Sequence, residues 1–264
     1  MLSRMIPLVP NFRNYFEPFL GGGALFFELA SSRAPFRAFL SDSNAQLINV
    51  YTAVRDHVEE LITLLRRHQD RYARSPAKNY YRMRDEWENE LTLSQAARLI
   101  ALNRTCYNGL FRVNSKGRFN VPIGRYSNPS ICNPDRLRAA CNTLSRTSAR
   151  IEINDFEEGL RNVSRGDFVY LDPPFDPLSK TSNFVGYTES GFGIEDQRRV
   201  SRVFEKLDSL GCRVLLSNSD TPLVRELYSE FTKGTVVHSS LRAINCEGSK
   251  RTDSEELLIA NYSI

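Results

Sequence analysis

The stretch of sequence that decides the fold is Phe168-Val169-Tyr170-Leu171-Asp172-Pro173-Pro174-Phe175. Its first four residues are apolar or aromatic, which predicts a buried β-strand. The strand must end at Asp172, because a proline has a fixed φ and no backbone N–H with which to continue a ladder or a helix. For the same reason we expect both proline carbonyls to be free to accept a hydrogen bond from a ligand. The sequence thus predicts a carboxylate, free carbonyls and an aromatic ring at the carboxyl end of a strand, where open α/β sheets bind ligands.

An isolated Asp-Pro-Pro also has a simpler interpretation, in which Asp172 only caps the element that follows the strand. Length and composition limit the class of protein to which the chain can belong. The 264 residues suffice for one large domain or for a core domain with a smaller insertion. The sequence contains neither an apolar run of about 20 residues, which a membrane span needs, nor a signal-peptide core, so we expect a cytoplasmic protein without a membrane partner.

Charge and cysteine usage exclude some classes of protein. The formal net charge of +4 hints at a polyanionic partner without identifying one. Five cysteines and three histidines are scattered without a C-x-x-C pair, so neither a metal site nor a disulfide framework is predicted.

Three consecutive glycines, Gly21 to Gly23, lie between a predicted strand at Phe16 and an amphipathic helix. Without Cβ atoms, the backbone there can approach a ligand closely and leaves the helix N-terminus accessible. The pattern is not G-x-G-x-x-G, because Phe26 occupies the place of the third glycine, and a simple tight turn is the alternative.

The next predicted strand, Phe36 to Leu40, ends in Ser-Asp42-Ser-Asn44. Asp42 follows the glycines by about 20 residues, where nucleoside-binding βαβ units place an acid that holds ribose hydroxyls. The alternative is that this segment caps a helix from Asn44 to Arg55. From Ala45 to about Arg104, apolar residues recur at helical spacing and interrupt the βα alternation, which predicts an inserted helical subdomain.

The insertion ends in a basic segment, residues 103–126, that contains no acidic residue. Leu110 to Val113 and Arg118 to Val121 alternate across Asn114-Ser-Lys-Gly117, which predicts a β-hairpin. A two-stranded ribbon fits the major groove of DNA, where Arg pairs well with guanine and Asn with adenine. The basic and amide side chains concerned are Arg104, Arg112, Lys116, Arg118, Arg125, Asn108, Asn114 and Asn120, and Tyr107 is placed to wedge or stack. Duplex DNA is therefore the predicted partner, with an ordinary surface loop as the alternative.

After Pro134 the α/β alternation returns. A helix from Asp135 to Leu144 and a strand from Arg150 to Ile153 lead to Asp155 and Phe156, a pair suited to hydrogen-bonding and covering a flat heterocycle. A core phenylalanine beside a cap explains the pair equally well. A helix-like stretch is expected between Phe156 and the strand at Phe168.

Beyond the opening stretch, the polar segments Asp176–Gly193 and Ala243–Glu255 are predicted to be loops, the first of them functional. Between them we predict a helix from Glu195 to Leu210 and a strand from Arg213 to Leu216. Thr235–His238 and Leu257–Tyr262 are expected to close the sheet as an antiparallel hairpin.

Four landmarks thus follow one another: F-E-P-F-L-G-G-G at 16–23, S-D-S-N at 41–44, the basic block at 103–126 and D-P-P-F at 172–175. Together they resemble the Dam family of DNA adenine methyltransferases, the α group or D12 class, over nearly the whole chain. The basic block is most similar to that of GATC-methylating members. The resemblance implies a Rossmann-like α/β sheet that uses S-adenosyl-L-methionine to methylate N6 of a flipped adenine. It also implies a catalytic domain at 1–52 and 136–264 and an inserted target-recognition domain at 53–135.

The resemblance also implies roles for individual residues. Asp172, Pro173, Pro174 and Phe175 match the catalytic D-P-P-Y motif, with Phe in place of Tyr. The implied cofactor-binding residues are Glu17, Phe19, Gly21, Gly23, Asp42, Asp155, Phe156 and Asp172. The implied DNA-binding residues are Arg104, Tyr107, Asn108, Leu110, Arg112, Asn114, Asn120, Pro122, Arg125 and Tyr126. Family members carry an N-terminal K-W-x-G-G-K-like motif that lines the cofactor pocket, and Met1 to Tyr15 contain no such motif, so this wall of the pocket is expected to be missing.

Three other functions stay open at this point. A cytosine-4-amino methyltransferase would use the same acceptors, a DNA-binding module without cofactor would keep only the hairpin, and a nucleotide-binding oxidoreductase would need only the glycine turn. The sequence does not fix the oligomeric state, and a monomer is compatible with it.

Overall fold

A seven-stranded sheet forms the centre of the fold in the computed structural model, which describes residues 2–177, 192–241 and 253–263. The strands are β1 (Asn14–Glu17), β2 (Arg37–Asp42), β3 (Arg150–Ile153), β4 (Phe168–Leu171), β5 (Arg213–Ser219), β6 (Thr235–Leu241) and β7 (Asp253–Ala260). Their order in the sheet is β3-β2-β1-β4-β5-β7-β6. β1 pairs in parallel with β2 and β4, β4 pairs in parallel with β5, and β7 runs antiparallel to β5 and β6. The predicted α/β class and the closing antiparallel hairpin are confirmed.

Nine α-helices occur in the described parts of the chain, some of them short. They are α1 (Leu2–Met5), α2 (Ala24–Ser32), α3 (Ala45–Asp56), α4 (Val58–Arg74), α5 (Pro76–Asp85), α6 (Leu93–Thr105), α7 (Pro134–Arg146), α8 (Ile194–Ser209) and α9 (Pro222–Leu227). No helix of the described residues is long and apolar enough to cross a membrane.

The chain divides into two compact units. The first comprises Met1–Ser41 and Asn154–Ile264, and the second comprises Asp42–Ile153. The first unit contains the glycine turn and the D-P-P-F stretch, and the second contains helices α3 to α7 and the basic segment. The assignment of 53–135 to a target-recognition domain stays a prediction.

The core of the first unit explains why the opening stretch reads as an unbroken apolar run. All four residues of β4 are at most 4% exposed, since both faces of a parallel strand are covered. Val169 and Leu171 pack in one cluster with Val200, Phe204 and Leu207, which α8 contributes. The cluster extends to Val214 and Leu216 of β5 and to Leu257 and Ile259 of β7. The apolar run therefore fixes where β4 lies in the sheet.

Two local predictions differ from the structure. The stretch after Phe156 is a single 3-10 turn, Glu158–Leu160, and no α-helix. A Cβ added at Gly159 would lie 2.2 Å from Ser41 Oγ, so this turn packs too closely on β2 for a larger residue. The predicted hairpin is present but irregular, with Val113 and Phe119 forming an isolated antiparallel bridge. The loops predicted at Asp176–Gly193 and Ala243–Glu255 lie largely outside the described residues.

Gly234 tests how tightly the turn before β6 packs on β7. A Cβ added there would lie 2.2 Å from the Ala260 carbonyl oxygen and 2.6 Å from that of Tyr262, and both belong to backbone that cannot rotate away. We expect Gly234→Ala to lower the free energy of unfolding by about 2 kcal/mol, as measured by urea denaturation. Gly22→Ala is the matched control, because nothing lies within 4 Å of its added Cβ, and we expect it to change stability by less than about 0.5 kcal/mol. Equal stability of the two variants would contradict this packing.

Candidate active site and nucleic-acid surface

The site lies where three neighbouring parallel strands end. β1 ends at Glu17, β4 leads directly into Asp172, and β5 ends at Ser219. Because β1, β4 and β5 are adjacent and parallel, their carboxyl ends meet at the same edge of the sheet. The structure thus brings the glycine turn and the D-P-P-F stretch to one edge, as the sequence predicted.

Asp172 is held by a hydroxyl from the neighbouring strand. Ser217 Oγ donates a hydrogen bond of 2.5 Å to Asp172 Oδ1, and the Tyr170 hydroxyl lies 3.0 Å from Ser217 Oγ. Desolvation by the surrounding protein raises the pKa of Asp172, the Ser217 hydrogen bond lowers it, and the negative charge of Glu256 raises it further. The residue nevertheless keeps a solvent-exposed side, so its carboxylate stays accessible to a ligand. The alternative role of Asp172 as a helix cap finds no backbone N–H bonded to its carboxylate among the described residues.

The loop after Asp172 is fixed by a pair of buried amide side chains. Gln197, on α8, donates from Nε2 to the Pro174 carbonyl at 2.8 Å, and its Oε1 accepts from Asn218 Nδ2 at 3.0 Å. Asn218 Oδ1 in turn accepts from the backbone N–H groups of Asp176 and Ser219 at 3.0 and 2.8 Å. The expectation that both proline carbonyls are free is therefore wrong for Pro174. The Pro173 carbonyl accepts no hydrogen bond from the described part of the chain.

The glycine turn has the backbone that its sequence requires. Gly21 and Gly23 have φ values of +47° and +61°, a region that side chains disfavour, and Gly23 directly precedes α2. Gly21 and Gly22 are exposed, whereas Glu17 is only 2% exposed and accepts a hydrogen bond of 3.0 Å from the Tyr15 hydroxyl. An exposed backbone thus lies between a buried acid and a helix N-terminus.

Phe156 is a core ring in this structure, as the simpler interpretation proposed. It is 4% exposed, stacks on Phe19 at a centroid distance of 5.0 Å, and has the Arg199 guanidinium 4.6 Å from its ring centroid. Arg199 also donates to Asp155 Oδ1 at 3.0 Å and to Glu157 at 2.8 Å. Asp155 itself is exposed. Arg199 could not be predicted from the sequence, because its contacts join α8 to a turn more than 40 residues away.

Asp42 and Asn44 divide the two roles that the sequence left open. Asn44 caps α3, since its Oδ1 accepts from the backbone N–H groups of Gln46 and Leu47 at 3.1 and 3.2 Å. Asp42, the last residue of β2, accepts from the Asn44 N–H at 2.9 Å and stays partly exposed. Asp42 is therefore not needed as the cap.

The second unit carries the positive charge of the protein. Asp42–Ile153 contain 18 lysines and arginines against 11 acidic residues, a net charge of +7. The rest of the chain has 17 against 20, a net charge of −3. The overall net charge of +4 is therefore the sum of a basic unit, which suits a polyanionic partner, and a slightly acidic one.

Most of the predicted DNA-binding side chains are exposed in this unit. The exposed ones are Arg104, Asn108, Leu110, Arg112, Asn114, Pro122, Arg125 and Tyr126, and Tyr107 and Asn120 are partly exposed. Arg112 is held by Asn120, to whose Oδ1 its Nε donates at 2.7 Å. Asn114 Oδ1 accepts from the N–H groups of Lys116 and Arg118 at 3.0 and 3.1 Å, so this side chain also closes the turn. Asn108 and Gly109 have left-handed φ values of 52° and 63°.

Two buried aromatic side chains hold the backbone of the basic segment by hydrogen bonds. Trp87 Nε1 donates to the Gly117 carbonyl at 3.0 Å, and the Tyr80 hydroxyl donates to that of Val121 at 2.8 Å. A cavity of about 390 Å³ beside the turn is lined by Arg84, Asp85, Asn114, Arg118, Phe119 and Asn120. The sequence missed Arg84, because an arginine on a charged helix such as α5 looks like part of a solvated face. No cluster of three metal-binding side chains occurs in the described ranges.

The strand order, the acid at the end of β4 and the separate basic unit define an α/β methyltransferase that acts on nucleic acid. The family model of D12 class N6 adenine-specific DNA methyltransferases matches residues 1–244, and the chain belongs to this family. It is 42% identical over 269 residues to the Type II methyltransferase M1.LlaDCHI of Lactococcus lactis subsp. cremoris, covering 99% of this chain and 91% of that protein. It is 39% identical over 262 residues to the Type II methyltransferase M.MjaIII of Methanocaldococcus jannaschii, with 96% and 89% covered. DNA adenine methylase of Escherichia coli K12 is 32% identical over 245 residues, with 92% and 84% covered.

The family confirms the resemblance to adenine methyltransferases that the motifs indicated. The chain is an adenine-specific DNA methyltransferase, so the cytosine-4-amino, oxidoreductase and non-catalytic alternatives are set aside. A methyl donor of the S-adenosylmethionine type follows from the family.

Gln197 tests whether the amide pair supports the active-site loop. Gln197→Leu keeps the approximate size but removes the donor to the Pro174 carbonyl and leaves the Asn218 amide unpaired in a buried place. We expect a loss of about 2 kcal/mol in the free energy of unfolding, measured by urea denaturation. The neighbouring Arg198→Leu removes only an exposed ion pair to Glu195 and should change stability by less than about 0.5 kcal/mol. A Gln197→Leu variant as stable as the Arg198→Leu variant would contradict this support.

Proposed function

We propose that this enzyme transfers a methyl group from S-adenosyl-L-methionine to N6 of an adenine flipped out of duplex DNA, within GATC. The observation that carries the catalytic part is the position of the Asp172 carboxylate, anchored at Oδ1 by Ser217, beside the Pro173 carbonyl. Both are hydrogen-bond acceptors at the carboxyl end of β4.

The two acceptors match what an adenine amine requires. Its lone pair is delocalised into the ring, so it is a poor nucleophile until the nitrogen becomes pyramidal. Asp172 and the Pro173 carbonyl accept the two amine hydrogens, which directs the lone pair outward and stabilises the positive charge that develops on nitrogen. Phe175 stacks on the extruded base. Flipping the base costs a few kcal/mol, which this stacking and a wedge such as Tyr107 offset.

The residues around the glycine turn suit the methyl donor. The exposed backbone of Gly21 and Gly22, at the N-terminus of α2, would hold the carboxylate end of the cofactor, and the buried Glu17 would accept from its ammonium group. When bound, the cofactor would supply an electrophilic methyl group on a sulfonium. Asp42 would accept from the ribose hydroxyls. Asp155 would accept from the adenine amine, and the Phe19–Phe156 stack would border the adenine ring.

The basic segment of the second unit reads the DNA sequence. Leu110, Arg112, Asn114 and Pro122 contact base edges, and Tyr107 and Asn108 enter the base stack. Arg104, Asn120, Arg125 and Tyr126 contact or support the DNA backbone, to which the partly exposed Arg84 also contributes. The bond from Asn120 to Arg112 orients its guanidinium before DNA binds, which favours one base over the others. GATC rests on the similarity of the segment to that of GATC-methylating family members.

The substrate and the relatives indicate the kind of cell and the compartment in which the enzyme works. The enzyme acts on DNA, and its relatives come from bacteria, an archaeon and a phage, so we place it in a prokaryotic or phage-infected cytoplasm, working as a monomer.

Asp172→Ala tests the catalytic acceptor. In cells that lack adenine methylation, we expect the wild-type enzyme to methylate adenine in GATC throughout the genome, as mapped by sequencing of modified bases. Without the carboxylate the amine loses its acceptor, so Asp172→Ala should reduce methylation at least a thousandfold while the circular dichroism spectrum stays unchanged. Asp208→Ala, which removes an exposed acid on α8, is the control and should keep wild-type activity. Activity of Asp172→Ala within tenfold of wild type would overturn the assignment.

Arg112→Ala and Arg125→Ala test the division between base reading and backbone binding. We expect Arg112→Ala to cost about 1–3 kcal/mol on GATC and to relax the choice at one base pair. Arg125→Ala should weaken binding to all sequences alike and lower the slope of log K against log salt by about one. Titration of duplexes containing GATC and its single-base variants at several salt concentrations measures both effects. The same uniform loss for both variants would contradict the division.

A further inference from the structure

A chain of two hydroxyl groups leads to the proposed catalytic carboxylate from inside the sheet. Tyr170 on β4 is 4% exposed and Ser217 on β5 is fully buried. The Tyr170 hydroxyl lies 3.0 Å from Ser217 Oγ, which lies 2.5 Å from Asp172 Oδ1. Strand pairing sets this contact, because Leu171 is in register with Leu216 and the next residues of both strands therefore adjoin.

The direction of these hydrogen bonds follows from the groups themselves. A carboxylate has no hydrogen to donate, so the single hydroxyl hydrogen of Ser217 points at Asp172 Oδ1. The Tyr170 hydroxyl must then donate to Ser217 Oγ. Both donors thus point towards the carboxylate, and Oδ1 is occupied. Asp172 Oδ2 accepts no hydrogen bond of standard geometry from the side chains that the structure describes.

The negative charges around Asp172 raise its pKa, whereas the two hydroxyl groups lower it. Glu256 on β7 and Glu17 on β1 add negative charge, and Tyr15 on β1 lies in the same electrostatic environment. Desolvation and Glu256 raise the pKa of Asp172, whereas the Ser217 hydrogen bond and the nearby Tyr170 hydroxyl lower it. Within the described residues, the groups that lower the pKa of Asp172 are the two hydroxyls and not a cation.

We propose that Ser217, backed by Tyr170, is a positioning residue of the methyl transfer: it occupies Oδ1 of Asp172 so that Oδ2 alone faces the target amine. The inference rests on the proposed role of Asp172 as the amine acceptor. It adds a residue from β5 to a site that the D-P-P-F stretch alone does not contain. A fixed Oδ1 also restricts rotation of the carboxylate, which keeps Oδ2 at a constant distance from the Pro173 carbonyl.

The test is the pH dependence of the single-turnover methyl-transfer rate, with saturating S-adenosyl-L-methionine and a GATC duplex. The wild-type rate should fall at low pH as Asp172 takes up a proton. Loss of one donor to a carboxylate raises its pKa, so Ser217→Ala should move the midpoint of this acid limb upward by about one pH unit. Above the limb, its rate should return to within about tenfold of wild type. Tyr170→Phe should move the midpoint in the same direction by less, and Ser217→Thr should restore it.

Ser201→Ala is the matched control, because Ser201 is a buried serine on α8 that bonds the Leu227 carbonyl away from Asp172. Its midpoint should equal that of wild type. A Ser217→Ala variant with an unshifted midpoint and a rate lowered equally at every pH would overturn the proposal. If Ser217→Ala does not fold, Tyr170→Phe decides in the same way, since it keeps the buried ring. Asp172→Asn separates the two hypotheses: an active variant overturns the role of Asp172, whereas an inactive one with no shift in Ser217→Ala overturns only the role of Ser217.

Discussion

The parallel pairing of β4 with β1 and β5 is the constraint on which the active site depends. Parallel strands in adjacent positions end at the same edge, so residues that are 45 positions apart in sequence, such as Asp172 and Ser217, come into hydrogen-bonding distance. The apolar side chains of β4 stabilise this position by burial on both faces of the sheet. The apolar core thus determines where the polar side chains at the strand ends lie, although it does not include those side chains.

The loop after β4 raises a problem that the buried amides solve. Two consecutive prolines offer no backbone N–H, so the loop has few donors with which to hold itself in place. Gln197 and Asn218 compensate by bonding the Pro174 carbonyl and the Asp176 N–H, and by bonding each other. The loop is thus tied to α8 and β5, while the Pro173 carbonyl accepts no hydrogen bond from the described residues. The amide side chains on α8 and β5 thus supply the hydrogen bonds that the two prolines cannot make.

The sequence predicted the features that depend on local rules. Apolar runs placed β4 and β5, glycines marked the turn before α2, and capping residues marked α3. The irregular hairpin was predicted in outline, but not the closure of its turn by the Asn114 side chain. Contacts made across the fold gave no local signal: Arg199 covers Phe156, Gln197 reaches Pro174, and Arg84 lies beside the turn. Their residue types are common on helix surfaces, and only the tertiary structure gives them a partner.

The way in which the basic segment is supported affects how the enzyme can evolve. Trp87 and Tyr80 bond to backbone carbonyls of the segment, which every residue type provides, and Gly109 and Gly117 meet the demands of backbone conformation. The Arg112 side chain bonds to Asn120 within the segment, whereas the exposed side chains of Leu110 and Pro122 take no part in this hydrogen bonding. Under the proposed reading of DNA by this segment, substitutions at Leu110 and Pro122 would alter which base pairs are preferred without a large loss of stability. Target sites would then diversify through a few point mutations while the catalytic unit stays the same.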